Sequence, residues 1–178
     1  GSRYYDNWYL PSNRGIEVRV GAAEAGDRAI GPDWILEPTA GWMAVRDRQT
    51  NRGMLFAFDY DYLKKMYTCG VTAEWFTDPV PIGPGGSFST DYVIKPIEGF
   101  KDFVWGSRHL VADIEPDEEE GAVVVGHEVA AVTEPLRDLQ FTFTVTGWKS
   151  KETVAEHHVT INELGFEKQR QEFRFQSD

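Results

Sequence analysis

Cysteine, positive charge and long apolar runs are all scarce in this 178-residue chain. Cys69 is the only cysteine, so neither an intrachain disulfide nor a zinc site built from several thiolates can form. We expect Cys69 to be a small buried residue on a strand rather than a nucleophile, because free cysteines are usually buried. No apolar run approaches the roughly 20 residues that a membrane-spanning helix needs, which argues against membrane insertion.

Positive charge is outnumbered, with 18 Lys and Arg residues against 29 Asp and Glu residues and a net charge of -11 at pH 7. A nucleic-acid-binding protein has to bring positive charge to phosphates, so nucleic acid is excluded as the expected partner. The same charge argues against docking on an anionic membrane surface.

Motifs for metal, cofactor and nucleophilic chemistry are also missing. The four histidines, His109, His127, His157 and His158, form neither an H-x-x-x-H nor an H-E-x-x-H pattern. The chain has no Gly-x-Ser-x-Gly elbow and no phosphate-binding loop with a Gly-Lys pair. We therefore predict no cofactor and no transition-metal site. Calcium is the one alternative, because Asp59 and Asp61 lie two residues apart and could bind it together with backbone carbonyls.

Alternation of apolar and polar residues is the dominant pattern. It is clearest at 16–20, 139–146 and 172–176, where each strand would turn one face toward a core. The run 53–58 is apolar on both faces, which predicts a strand covered on both sides. The turn at 51–53 lies between two apolar runs and predicts a hairpin joining strands near 42–47 and 53–59.

These patterns predict an all-β, antiparallel β-sandwich fold, arranged as two packed β-sandwich domains. The composition changes near residue 99, after a proline-rich loop at 78–86 and a further strand. We place residues 1–98 in an aromatic-rich β-sandwich. Residues 99–178 have the size and strand spacing of an immunoglobulin-like β-sandwich.

Most of the tryptophans and tyrosines lie in the first 75 residues. Exposed aromatic rings stack on the C–H faces of sugars because they combine a large rigid apolar area with a polar edge. The alternative for each tryptophan is burial in the core. The residues predicted to contact a glycan are Trp34, Trp42, Tyr60, Tyr62 and Trp75, with Glu74 and Asp78 bonding to sugar hydroxyls.

Glu74 is also the candidate catalytic residue. It lies within the apolar run 72–76, next to Trp75. A carboxyl group in apolar surroundings can act as a general acid or base. Two alternatives are an outward-facing residue on a half-exposed strand and a carboxylate paired with arginine.

The segments 70–76, 81–88 and 92–96 place a strand bearing Glu74 before an apolar-Gly-Pro-Gly step and a further strand. This order resembles the closing part of the galactose-mutarotase-like supersandwich. That superfamily includes aldose epimerases and the β-domains of glycoside hydrolases and polysaccharide lyases, in which an immunoglobulin-like domain often follows. The resemblance implies a base at Glu74. It also implies two earlier histidines, which this chain lacks, and an acidic residue where Gly86 stands.

Three functions are consistent with these features. The first is a non-catalytic, carbohydrate-associated β-sandwich module that binds an oligo- or polysaccharide through exposed aromatics. The second is a fragment of a carbohydrate-active enzyme (a glycoside hydrolase, a lyase or an epimerase-like protein) with Glu74 as acid or base in a larger parent chain. The third is a structural or protein-interaction domain with a protein partner. The resemblance alone indicates a secreted or extracytoplasmic location.

Overall fold

The computed structural model describes residues 6–20, 33–69, 72–119, 122–147 and 149–176, and these residues form an all-β protein. They contain fourteen strands and no helix, and therefore no helix that is long and apolar enough to cross a membrane. The prediction of an all-β, antiparallel fold of sandwich type is confirmed.

The strands vary from two to twelve residues in length. In chain order they are β1 (Asp6–Ser12), β2 (Gly15–Arg19), β3 (Asp33–Ile35), β4 (Trp42–Asp47), β5 (Arg52–Phe58), β6 (Leu63–Cys69), β7 (Thr72–Thr77), β8 (Tyr92–Glu98), β9 (Trp105–Gly106), β10 (Leu110–Glu119), β11 (Ala122–Ala131), β12 (Leu136–Thr146), β13 (Thr153–Leu164) and β14 (Gln169–Gln176).

The chain divides into two compact units, Gly1–Arg108 and His109–Asp178. The division therefore falls after residue 108 rather than after residue 98. The intervening segment belongs to the first unit because Phe103 packs edge-on against Tyr9 of β1, with ring centroids 5.0 Å apart. A composition change cannot reveal this, since the contact joins residues that are far apart in the sequence.

Two antiparallel sheets build the first unit. One has the strand order β2-β1-β4-β5-β8 and the other the order β3-β6-β7. Alternate residues of both sheets meet in a common apolar core, which makes this unit a sandwich. The buried core residues are Trp8, Leu10, Ile35, Met43, Val45, Phe58 and Met66.

The predicted hairpin is confirmed as β4 and β5, which pair from Trp42 with Ala57 to Asp47 with Arg52. Asn51 turns the chain with a φ of 54°, a left-handed conformation that asparagine tolerates better than most residues. Gly53 is required in the strand because a Cβ there would collide with the carbonyl oxygen of Val45.

The larger sheet of the first unit has buried residues on both of its faces. Leu55 and Ala57 are buried on the face opposite to Phe58, as predicted for a strand covered on both sides. Phe100 and Phe103, which follow β8, are buried as well and stack at 5.7 Å. The segment after β8 thus supplies a second apolar layer to this sheet.

Tyr9 holds the segment after β8 against the larger sheet through contacts with Asp102 and Phe103. A Tyr9→Phe variant measures how much the hydroxyl contributes to stability. The Tyr9 hydroxyl donates to Asp102 Oδ1 at 2.7 Å, and burial together with Asp102 raises the pKa of Tyr9 to about 12. We expect Tyr9→Phe to lower the free energy of unfolding by about 1–2 kcal/mol at pH 8.

The pH dependence of the Tyr9→Phe difference identifies its source. A folded-state pKa above the unfolded value of about 10 means that the stabilisation is complete below pH 10 and is lost as the pH rises toward 12. Urea denaturation of both proteins at pH 8 and pH 11 measures the change. An equal difference at both values would show that the hydroxyl proton is not its source.

The second unit is also a sandwich. The strands β14-β11-β10 form one sheet and the strands β12-β13 form the other, with antiparallel pairing throughout. The buried core residues are Val129, Ala131, Val159, Ile161 and Leu164. The described part of this unit has five strands, whereas immunoglobulin domains have about seven. The immunoglobulin-like topology therefore stays a prediction, while the sandwich architecture is present.

Asp117 and Glu119 of the acidic segment 117–120 are exposed at the end of β10, where this strand pairs with β11 as a hairpin. Strand β10 extends to Glu119, and the Glu119 carboxylate accepts a hydrogen bond from Arg174 of β14. Residues 120 and 121 lie outside the described part of the chain.

Candidate functional site

The outer face of the β3-β6-β7 sheet carries the strongest candidate site. In the register of this sheet Trp34 lies opposite Tyr67, and Tyr67 lies opposite Glu74. Lys65 and Phe76 form a second cross-strand pair on the same face. Since side chains alternate along a strand, these five residues point away from the core. We call this set, Trp34, Lys65, Tyr67, Glu74 and Phe76, the aromatic face.

Trp34 is the centre of the aromatic face. Its ring centroid lies 4.8 Å from that of Tyr67 and 5.1 Å from that of Phe76, with interplanar angles of 48° and 50°. Trp34 is 39% exposed, whereas Tyr67 and Phe76 are half-buried. The two neighbouring rings therefore hold the indole in place, and part of its surface stays exposed.

Two charged groups border these rings. The Lys65 ammonium lies 3.9 Å from the Trp34 ring centroid and 5.1 Å from that of Phe76, which is a cation–π arrangement. Within the described ranges, neither Lys65 nor Glu74 has a hydrogen bond or an ion pair through its side chain. Both charged groups are thus available to the hydroxyls or charges of a ligand.

The prediction that Trp42 contacts a ligand is wrong. Trp42 is only 1% exposed and lies on the buried face of the larger sheet. Its ring is so close to Gly106 that a Cβ there would lie 2.9 Å from Trp42 and 2.6 Å from Leu55. Trp42 is a core residue of the first unit.

Trp75 also belongs to the core side of its sheet. Its ring stacks on Phe58 with centroids 4.8 Å apart and an interplanar angle of 4°. Tyr92 makes a further tilted contact at 5.7 Å. The core therefore occupies one whole face of this half-buried indole, which does not join Trp34 on the outer face.

Tyr60, Tyr62 and Asp78 are exposed and make their contacts with residues outside the aromatic face. The Tyr60 hydroxyl donates to the carbonyl oxygen of Pro38 at 3.0 Å, and Tyr62 contacts Phe88 edge-on. Asp78 forms an ion pair with Lys64 at 3.3 Å. Neither tyrosine makes a ring contact with Trp34. These residues stay predicted ligand contacts, without a geometric link to Trp34.

Glu74 does not have the apolar surroundings that its proposed acid–base role requires. It is exposed on the aromatic face, opposite Tyr67, while its neighbours Ala73 and Trp75 face the core. Apolar neighbours in the sequence point to the other side of a strand, which is why the sequence suggested otherwise. Glu74 is therefore an outward-facing residue on a half-exposed strand, which is the first of the two alternatives to a catalytic role.

Asp59 and Asp61, the candidates for calcium binding, are exposed in the loop between β5 and β6. The Asp59 carboxylate accepts a hydrogen bond from the Asp61 backbone at 3.2 Å and so closes the turn. Among the residues described, three acidic groups come together only in the second unit, at Asp113, Glu115 and Glu128. The structure therefore does not gather Asp59 and Asp61 with a third carboxylate.

The acidic cluster of the second unit is already balanced by cations. Lys168 Nζ lies 2.8 Å from both Glu128 oxygens, and Arg170 bonds to Glu115 at 2.6 Å and to Glu128 at 3.2 Å. The hydrogen bonds to Glu115 and its acidic neighbours raise the pKa of Arg170. Two basic side chains thus pair with Glu115 and Glu128, two of the three carboxylates of this cluster. The sequence did not indicate this cluster because its acidic members come from two strands, β10 and β11, and meet only through cross-strand register.

His127 is a second feature that sequence reasoning missed. Its ring is 1% exposed, and neither ring nitrogen has a hydrogen-bond partner. Phe143 lies 4.4 Å away between ring centroids. Burial, and then the charge of His157, lowers the pKa of His127. The sequence does contain a signal for this burial. His127 is two residues from both Val125 and Val129, so all three side chains lie on the same face of the strand.

A shallow cleft of about 280 Å³ lies where β1, β4 and β5 run together. Asp6 of β1 and Asp47 of β4 face each other as a cross-strand pair, and Arg52 and Met54 also line the cleft. Burial raises the pKa of Asp6, and the nearby Asp47 charge adds to this shift. The Asp47 carboxylate accepts a backbone hydrogen bond from Gln49 at 2.8 Å. Asp47 thus stabilises the turn between β4 and β5.

Comparison of the chain with protein-family models, with curated proteins and with solved structures found no match. The resemblance of residues 70–96 to the mutarotase-like supersandwich stays a prediction, and its residues 70 and 71 lie outside the described ranges.

Proposed function

We propose that this chain is a non-catalytic carbohydrate-binding module whose ligand stacks on Trp34. The observation that carries the proposal is an exposed tryptophan on the outer face of a sheet, braced by Tyr67 and Phe76. A sugar ring has an apolar C–H face for the indole and a polar rim for hydrogen bonds. Lys65 and Glu74 supply a donor and an acceptor beside that ring.

The same geometry favours binding over catalysis. The aromatic face is an open sheet surface, and Glu74 is exposed on it rather than enclosed. A catalytic carboxyl group needs an environment that tunes its proton affinity and excludes water. An open face instead suits an extended oligo- or polysaccharide that contacts several side chains along a sheet.

Protein interaction is the second candidate function. Tyr92 and Ile94 are exposed on the edge strand β8, and Met54 is exposed on the neighbouring strand β5. Exposed apolar residues on adjacent strands can form part of a contact with a protein partner. However, Lys95 and Pro96 also lie on β8, and both residue types discourage pairing at a sheet edge.

Trp34→Ala tests the proposed function. We expect wild-type protein to bind at least one polysaccharide in a panel of plant, algal and host glycans, and Trp34→Ala to weaken that binding by about 30-fold. This loss corresponds to the roughly 2 kcal/mol of a binding hot spot. Isothermal titration calorimetry measures affinity without depending on tryptophan fluorescence. Repeating the titration with a chelator tests the calcium prediction.

Trp105→Ala is the matched control, because Trp105 is a 51% exposed tryptophan outside the aromatic face and makes no ring contact with Trp34. We expect this variant to bind as the wild type does, and both variants to keep the far-UV circular dichroism of the wild type. Equal binding by wild type and Trp34→Ala would contradict the proposed site. If no glycan in the panel binds to the wild type, the proposed function fails and protein interaction becomes the better hypothesis.

A further inference from the structure

The Lys65 ammonium identifies the class of glycan, provided that the proposed function holds. This ammonium lies over the rings of Trp34 and Phe76. In the described part of the chain no carboxylate or carbonyl oxygen bonds to it. Among the described residues it is thus a positive charge without a hydrogen-bonded anionic partner, and it lies directly over the ring that the sugar would cover.

A sugar that stacks on Trp34 over the Lys65 side has to move this ammonium aside. The lysine then loses its contact with the aromatic rings. A neutral sugar offers only hydroxyls in exchange, whereas a sugar with an anionic substituent offers an ion pair at the rim of the stacked ring. The net charge of -11 repels polyanions at long range, but charge complementarity at this position favours an acidic substituent on the stacked sugar.

We propose that the aromatic face binds a uronic-acid-containing glycan, with a uronate carboxylate paired to Lys65 while the sugar ring stacks on Trp34. Glu74 fixes the direction of the ligand. It lies opposite Tyr67, whereas Lys65 lies opposite Phe76, so the two charges mark different ends of the face. The carboxylate of the sugar pairs at the Lys65 end, and sugar hydroxyls donate to Glu74 at the other end.

The test compares acidic polymers with neutral polymers of the same backbone. The ligands are polygalacturonate, polymannuronate and polyglucuronate, each with its carboxyl-reduced counterpart. We expect the wild type to bind at least one uronan about threefold to tenfold more tightly than its reduced form, the range for one charge-assisted contact at an exposed site. Lys65→Met removes this preference, because it removes the charge and keeps an apolar side chain of similar length.

Lys64→Met is the matched control, because Lys64 is the neighbouring lysine and is already paired with Asp78. We expect Lys64→Met to keep the preference for the uronan. Retention of the preference in Lys65→Met would overturn the assignment of Lys65.

The outcomes separate this inference from the proposed function. Equal binding of a uronan and its reduced form by the wild type would overturn the inference and leave carbohydrate binding intact. The same conclusion follows if neutral glycans bind and none of the three uronans does. If neither uronans nor neutral glycans bind, both the inference and the proposed function fail.

Discussion

Trp42→Ala is expected to lower the free energy of unfolding of the first unit by about 3–5 kcal/mol, the usual cost of removing a buried aromatic side chain. Trp42 is 1% exposed and lies against Leu55 and the backbone of Gly106. Deleting the indole leaves a cavity beneath the segment that follows β8. The remaining contacts of Phe100 and Phe103 cannot close that cavity, because both rings are already buried in contacts of their own.

Urea denaturation followed by far-UV circular dichroism measures this loss without relying on the deleted fluorophore. Trp34→Ala is the comparison, since Trp34 is partly exposed on the opposite sheet and should change the unfolding free energy far less. Trp42→Phe refines the test. The indole nitrogen of Trp42 is buried without a hydrogen-bond partner, so phenylalanine removes an unsatisfied donor and should cost less than alanine. Equal stability of Trp42→Ala and wild type would show that Trp42 is not a core residue.

Acidification from pH 7 to pH 5 is expected to destabilise the second unit through His127. Phe143 of β12 and Phe173 of β14 contact this ring, and its cross-strand neighbours are Ile114 of β10 and the uncharged Gln171 of β14. The titratable neighbour is His157 of β13, which stacks on Phe173 at 4.5 Å. No carboxylate in the described ranges hydrogen-bonds to either nitrogen of His127, so nothing offsets a positive charge on the ring.

The sign of the effect follows from the lowered pKa of His127, which burial causes first and the charge of His157 second. The unfolded chain binds a proton near the ordinary histidine pKa of about 6.5, whereas the folded chain resists protonation until lower pH. Between these two values the unfolded state holds more protons. The free energy of unfolding therefore falls with decreasing pH, by at most about 1.4 kcal/mol per pH unit for this one group.

His127→Met isolates this contribution because methionine fills a similar volume without a titratable group. We expect the variant to be as stable as the wild type or more so at pH 7, since a buried polar ring without partners is removed. The difference in the free energy of unfolding between the variant and the wild type should increase as the pH falls from 7 to 5. His158→Gln is the control, because His158 is exposed and pairs with Glu156 at 2.9 Å. A His127→Met variant with the same pH dependence as the wild type would exclude His127 as the cause.

Local patterns were sufficient for much of the fold. The hairpin of β4 and β5 follows from two apolar runs around a turn that contains Asn51 and Gly53. Strand β12 alternates Leu139, Phe141 and Phe143 with polar residues, and these apolar side chains pack on the core. Such features depend on neighbours within a few residues, so the alternation of strand faces determines them.

The candidate site was only partly predictable for a different reason. Trp34 and Trp42 look alike in the sequence, yet one lies on an exposed sheet face and the other is buried. What distinguishes them is the segment around Phe103, which covers the second face of the larger sheet from more than fifty residues further along the chain. Lys65, Tyr67 and Phe76 join Trp34 only through cross-strand register.

The amino-acid sequence by itself determined that this protein is all-β and which side chains share a strand face, because alternation is a local property of the extended backbone. Tertiary structure alone decided which of those faces is covered. Coverage determines that Trp42 stabilises the core, that His127 is buried among phenylalanines, and that Trp34 stays open beside Lys65. Burial depends on what lies across the sheet, and that partner comes from a distant part of the chain.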